Sequence, residues 1–251
     1  MLDEELKLKQ QEDWDNSGLQ VGDLNNDISN IMLTLDIDFE TLGYAVHNNI
    51  DLIITHHPLL FSPLKSIDFN TYEGKLIQIL IKNNITLYSI HTNFDCAEMG
   101  VNQKLAEKLN IDDYEILHII NSDNSGYGGI ANIEPINIVE YAKKVKLQLS
   151  TDHVKLYCND RERVITKVSF CGGSGSDFIE DSIIKNADVY ITGDIKYHQA
   201  QNALQHNLCI IDAGHYYTEC HSLENIKHVL VKNNDLNVML LDKNTVKELI
   251  I

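Results

Sequence analysis

From one end of the chain to the other, short apolar runs alternate with longer stretches in which apolar residues recur every three or four positions. The short runs predict strands at 31–35, 51–54, 86–90, 129–133, 154–157, 167–170, 189–192, 208–211 and 236–240. The longer ones predict helices at 39–48, 72–83, 101–109, 137–147, 177–185, 197–206 and 218–233. Strands alternating with helices define an α/β protein with largely parallel sheets. No Pro/Gly/Ser-rich linker interrupts the pattern. The loosest segment, 121–129 (NSDNSGYGG), suggests two halves, 1–122 and 123–251.

The halves read alike. In the first, IMLTLD leads through a helix to NIDLIITHHPLLF and through another to NNITLYSIHTNFD. In the second, KVSFCGG leads to NADVYITGDIKYH and then to HNLCIIDAGHYYTE. Asp51-Leu-Ile-Ile-Thr55 and Asp188-Val-Tyr-Ile-Thr192 match almost position by position. An internal repeat is expected, with chance likeness of two strand–helix–strand units as the alternative. A repeat would let equivalent strand ends from both halves line a shared cleft.

Charge changes the picture next. Lys and Arg number 20 against 37 Asp and Glu, a formal charge of −17. Such a surface repels a polyanion, which argues against nucleic acid as a partner. A small anionic substrate stays open if metal ions or local dipoles reverse the field in a cleft. No apolar run approaches the roughly 18–20 residues of a membrane span, and the charged start MLDEELKLKQQEDWD has no signal-peptide core. A cytoplasmic protein without a membrane partner is therefore expected. The five cysteines are scattered and form no C-x-x-C pair, which argues against a disulfide framework or zinc–thiolate site.

The chemistry gathers just past the strands. His56 and His57 follow one strand, His91 and Asp95 the next, and Asp212, His215 and Glu219 the corresponding strand of the second half. Ligands of open α/β sheets bind outside the carboxyl ends of strands. With the strand ending at Thr55 and Pro58 closing it, alternation lapses and both adjacent imidazoles can turn toward one crevice. His215 and Glu219, four apart, share a face at the first turn of a helix. Singly, each is ordinary: a surface His pair, a helix-surface His–Glu pair, a capping Asp95. Together, three imidazoles and two carboxylates without a thiolate suit zinc, iron, manganese, nickel or cobalt. Five ligands exceed one tetrahedral site but would serve two ions about 3.5–4 Å apart.

Six stretches carry a closer likeness: WDNSGLQVG (14–22), DLIITHHPLLF (51–61), SIHTNFD (89–95), CGGSGSDF (171–178), ITGDIKYHQA (191–200) and DAGHYYTE (212–219). In this order, and covering nearly the whole chain, they resemble the Nif-three-like dinuclear metal family, many of whose members are called GTP cyclohydrolase 1 type 2 homolog. The resemblance implies two similar α/β halves around the metals, in the short form without an inserted middle domain. It implies two divalent transition-metal ions held by His56, His57, Asp95, His215 and Glu219, with Asp95 and Glu219 bridging. It also implies a ring-shaped homohexamer.

Other residues have two readings each. Gly172–Ser176 between strand and helix suits an anion, with Gly173 and Ser174 touching substrate, or is a tight structural turn. Asp194 and His198 occupy the second-half counterpart of the His-His position, as partners of ligands or as acid/base groups; His198 could equally face solvent. His91 orients a ligand, carries protons or simply packs. Trp14, Asp15 and Asn16 wall the cleft, or Trp14 anchors the core.

Two functions compete. One is a dinuclear-metal hydrolase acting on a nucleotide or other small, phosphorylated or cyclic compound, with Asp194, His198 or His91 managing protons; a phosphoesterase is a variant of it. The other is a non-enzymatic metal-binding protein: a metallochaperone, metal store or regulatory interaction partner.

Overall fold

The computed structural model describes residues 2–9, 11–120, 125–232 and 235–248. Its strands are β1 (Gly18–Val21), β2 (Asn30–Thr34), β3 (Leu52–Thr55), β4 (Thr86–Ser89), β5 (Glu115–Ile119), β6 (Gly126–Asn137), β7 (Lys155–Tyr157), β8 (Val164–Phe170), β9 (Val189–Thr192), β10 (Cys209–Asp212) and β11 (Asn237–Leu240). They form an α/β architecture of two sheets, ordered β1-β4-β3-β2-β11 and β5-β6-β8-β9-β10-β7. The two compact units are 1–94 with 223–251, and 95–222. This division differs from a single cut after 122: β11 returns to the first sheet and pairs with β2, so the second unit is an insertion in the sequence of the first. Part of the loose segment, 121–124, lies outside the described residues.

In the first unit β11, β2, β3 and β4 run parallel, and β1 closes the edge antiparallel to β4. Met32, Ile53 and Leu87 pack on one face against Leu42, Ala45, Leu76 and Leu80 of helices Phe39–His47 and Tyr72–Lys82. Ile31, Leu33 and Ile54, one residue out of phase, are equally buried on the other. Both faces covered is the condition of a parallel sheet, and it explains strands that read as unbroken apolar runs.

The second unit repeats the device. Its parallel core β8-β9-β10 is flanked by β6 and β7, each antiparallel to its core neighbour, with β5 antiparallel to β6 at the outer edge. Val189, Ile191, Cys209 and Ile211 enter one core with helix Ile138–Gln148, whereas Tyr190 and Ile210 between them enter another with Ala200 and Ala203. In both units each crossover helix ends in an asparagine with left-handed backbone before the next strand: Asn49 (φ 51°), Asn84 (φ 54°), Asn186 (φ 55°) and Asn207 (φ 59°). Asparagine tolerates that conformation better than most side chains, which makes it a natural helix stop.

Candidate metal centre

At the carboxyl edge of the first sheet, β3 ends at Thr55, whose Oγ1 meets Ser89 Oγ of β4 at 2.8 Å and donates to His57 O at 2.9 Å. The backbone stays tied to the extension of β2, with His56 N donating to Thr34 O and His57 N to Leu35 O. Past the strand the two imidazoles no longer alternate. Together with His91, beyond β4, they form a cluster with ring centroids 5.0, 5.2 and 5.6 Å apart. One donor atom from each of the three lies within 4.8 Å of the others, close enough to hold a metal ion.

Each ring is fixed through the same nitrogen. His56 Nδ1 lies 2.8 Å from Ile90 O, His57 Nδ1 2.8 Å from Asp36 Oδ1, and His91 Nδ1 2.7 Å from Asp15 Oδ1. Carbonyl and ionised carboxylate oxygens only accept, so Nδ1 carries the proton and, in the neutral ring, Nε2 carries the lone pair. This is the orientation that metal-ligating histidines adopt. Asp15 is buried and also accepts from Ser17 Oγ (2.7 Å), Thr92 N (3.1 Å), Thr92 Oγ1 (2.6 Å) and Asn16 N (2.7 Å). Burial alone would raise its pKa; the bonds from His91, Thr92 and Ser17 outweigh burial and hold it well below the usual carboxylate range.

In the second unit β10 gives way to Ala213 and Gly214 (φ 85°), and His215 opens the short helix His215–Glu219. His215 Nδ1 lies 2.7 Å from Asp194 Oδ2, and its Nε2 lies 3.0 Å from Oε2 of the buried Glu219. The spacing of four does place both on one helix face. Under Glu219 passes Gly173 (φ 66°), where a Cβ would come within 1.9 Å of Glu219 Oε1. The glycine loop is pinned: Gly173 N donates to Thr218 Oγ1 and Gly173 O accepts from Gly193 N. Asp95 is half-buried at the end of helix Thr92–Asp95. Asn102 links it to the same loop, donating to Asp95 O (3.0 Å) and accepting from Gly172 N (3.0 Å). Cys171, next to Gly172, is buried, and burial first, then the charges of Asp95 and Glu219, push its thiol far up.

The structure thus groups His56, His57 and His91 in one unit, and His215 with Glu219 and Asp194 in the other. Asp15, expected at the substrate, is buried against His91. Asn16, likewise expected there, donates through Nδ2 to Leu60 O (2.7 Å). Gly173 is buried beneath Glu219, and Ser174 is exposed. His198 is exposed on helix Tyr197–Gln205 and belongs to none of the donor clusters among the described residues. Trp14 is 59 % exposed and is no core anchor. Sequence reasoning missed Asp36, although the final aspartate of IMLTLD marks the carboxyl end of the strand next to β3.

Each of the two α/β units carries imidazoles and carboxylates past its strand ends, and in the first the imidazoles of His56, His57 and His91 group closely enough to hold a metal ion. The family model for Duf34/NIF3 (NGG1p interacting factor 3) matches residues 1–246, and the chain belongs to this family. It is 38% identical over 205 residues to the GTP cyclohydrolase 1 type 2 homolog of Streptococcus pneumoniae, covering 80% of this chain and 77% of that one. It is 39% identical over 212 residues to a Helicobacter pylori protein named GTP cyclohydrolase 1 type 2, covering 83% and 80%. Among solved structures, reduced HcgD from Methanocaldococcus jannaschii superposes with a TM-score of 0.79 at 31% identity, covering 92% and 91%. A Bacillus cereus protein related to NIF3 gives 0.88 at 23% identity, covering 100% and 97%, a likeness of fold. No described helix is long and apolar enough to cross a membrane.

Proposed function

We propose that this protein is a hydrolase that uses two divalent transition-metal ions to act on a nucleotide or other small phosphorylated compound. The observation that carries the reading is the common orientation of three imidazoles. His56, His57 and His91 each turn Nδ1 to an oxygen and so present Nε2 as donor, while His215, held at Nδ1 by Asp194, directs Nε2 to Glu219 Oε2. The donor sets of the two units, with no thiolate among them, fit the five ligands the family likeness implies: His56, His57, Asp95, His215 and Glu219. Bound there, such ions would supply a water of lowered pKa and neutralise charge on the substrate.

The chain's own residues have separate tasks in this reading. Asp36 and Asp194 fix the tautomer and angle of His57 and His215. His91 takes up and returns a proton at Nε2 while Asp15, at Nδ1, stabilises the cationic ring. Asp194, exposed beside His215, is a positioning residue here rather than an acid. The name of the Helicobacter pylori relative supports a purine nucleotide such as GTP as substrate. A homohexamer, implied by the family likeness, is the companion proposal, and sedimentation velocity reads it directly.

The test is metal content by mass spectrometry on protein purified without added metal, alongside Glu219→Ala and Asp95→Ala. About two ions per chain, reduced in both variants, followed by GTP turnover in the loaded protein, is the expected result. Full metal content in both variants would remove the carboxylates from the site. Metal without turnover of any nucleotide would favour the metal-store reading.

A further inference from the structure

Beside the histidine cluster of the first unit stand two aromatic side chains that the fold leaves in solvent. Trp14 is 59 % exposed and Phe61 53 %. Their ring centroids are 5.8 Å apart, and each lies 6.1 Å from His91 with nearly perpendicular planes, 79° for Trp14 and 73° for Phe61. The two rings are tilted by 46°, so they form an open corner rather than a closed stack. Each therefore keeps a face available.

The corner is built, not incidental. Trp14 and Phe61 come from separate segments that are sewn together by Asn16 Nδ2 donating to Leu60 O, 44 residues away (2.7 Å), and Leu60 N donating to Gln20 Oε1 (3.1 Å). Gln20 is in turn fixed by its Nε2 donating to Asn16 O at 2.6 Å. The same segment supplies Asp15, which holds His91 at Nδ1. One loop thus carries an exposed indole, orients a candidate donor and clamps the loop bearing the other ring. Folding normally removes such large apolar surfaces from water, and a neighbouring pair kept exposed next to polar chemistry marks a binding surface.

We propose that Trp14 and Phe61 form a subsite for the planar heteroaromatic ring of the substrate, a nucleobase stacking on the aromatic corner while the remainder of the molecule reaches the histidines. This rests on the hydrolase reading for the identity of the substrate. The chemistry of the subsite stands on its own: π faces without a hydrogen-bonding code accept any nucleobase. The corner therefore selects for the presence of a ring and leaves discrimination among bases to other contacts.

Trp14 is the protein's single tryptophan, so its emission reports directly on this corner. Guanosine, a neutral ring-bearing probe, and inorganic tripolyphosphate, an anion with no ring, are titrated separately, with excitation where guanosine does not absorb. Saturable quenching by guanosine and none by tripolyphosphate is expected, in metal-loaded and in chelator-treated protein. Phe61→Ala and Phe61→Leu should weaken guanosine binding roughly tenfold, and Phe61→Tyr should restore it. Equal affinity in wild type and Phe61→Leu overturns the subsite, as does the absence of saturable quenching. A changed sedimentation coefficient in Phe61→Leu with unchanged guanosine binding overturns it too, in favour of a contact between copies of the chain. Metal content read in the same samples separates the two ideas: metal without quenching sinks the subsite alone, and quenching without metal sinks only the hydrolase reading.

Discussion

Asp51 and Asp188 hold the same post in two different units. Each precedes a central strand, and Oδ2 of each accepts from two successive backbone N–H groups of the neighbouring segment, at the start of β2 for Asp51 and within β8 for Asp188. For Asp51 these are Ser29 N (3.0 Å) and Asn30 N (2.8 Å); for Asp188, Thr166 N (2.8 Å) and Lys167 N (3.0 Å). Their backbones match as well, Asp51 N donating to Asn30 O and Asp188 N to Lys167 O. The two latches match donor for donor, one in each unit.

Asp188 makes the latch testable by pH. Burial raises its pKa, but the Thr166 N–H, the Arg163 side chain at 2.7 Å and the Lys167 N–H outweigh burial and lower it. A carboxylate depressed in the folded state stabilises fully above its unfolded value of about 3.9 and loses that contribution as pH falls through the lower folded value. Asp188→Asn should therefore cost about 1–3 kcal/mol near neutrality. In urea titrations the gap to wild type should close on acidification below the unfolded value; a constant gap would show that charge plays no part.

Gly173→Ala should be costly for two reasons, its φ of 66° and the 1.9 Å approach of the new Cβ to Glu219 Oε1. A loss of about 1–3 kcal/mol is expected from the backbone alone. The double variant with Glu219→Ala should recover part of the deficit, a coupling that a mutant cycle measures. Strict additivity would separate the glycine from the glutamate.

Asp36→Ala should weaken metal binding about 10–100-fold by releasing His57, while Asp36→Asn, which keeps an acceptor, should lose less. Competition against a chelator of known affinity gives the ratio. Equal losses in the two variants would mean that charge, not orientation, is the contribution of Asp36.

The four asparagine helix stops predict a pattern. Asn49→Ala and Asn186→Ala should each destabilise by about 1–2 kcal/mol, because alanine resists a left-handed backbone, and the glycine variants should be near neutral. Thermal midpoints of the four proteins check it.

These particulars also show what was readable without coordinates. The central strands were legible because burial on both faces leaves DLIIT and DVYIT as uninterrupted apolar runs. β1 was not: GLQV is a short edge strand between Gly18 (φ 106°) and Gly22 (φ 110°), and its antiparallel partner gives it no pattern of its own. β5 escaped for the same reason, an edge strand with exposed ends at Glu115 and Ile119. The helix expected at 218–233 instead starts at His215, and a tight turn at Cys220–Ser222 interrupts it before Leu223–Leu230. The donor residues could be picked out by their place after strands. Asp15 and Asp36 could not be assigned, since which carboxylate reaches which imidazole depends on loops that no periodicity describes.

The return of β11 to β2 has a consequence for biosynthesis. Asn237 and Asn30, bonded through their side chains, are 207 residues apart in the chain. As the protein leaves the ribosome, one flank of β2 must wait until the whole inserted unit has been made before its partner strand exists. Until then an apolar strand edge is open, the kind of surface on which chains pair with the wrong neighbour. The late strand thus acts as a closing seam, and variants that weaken it should accumulate as aggregates during expression well before the finished fold loses stability.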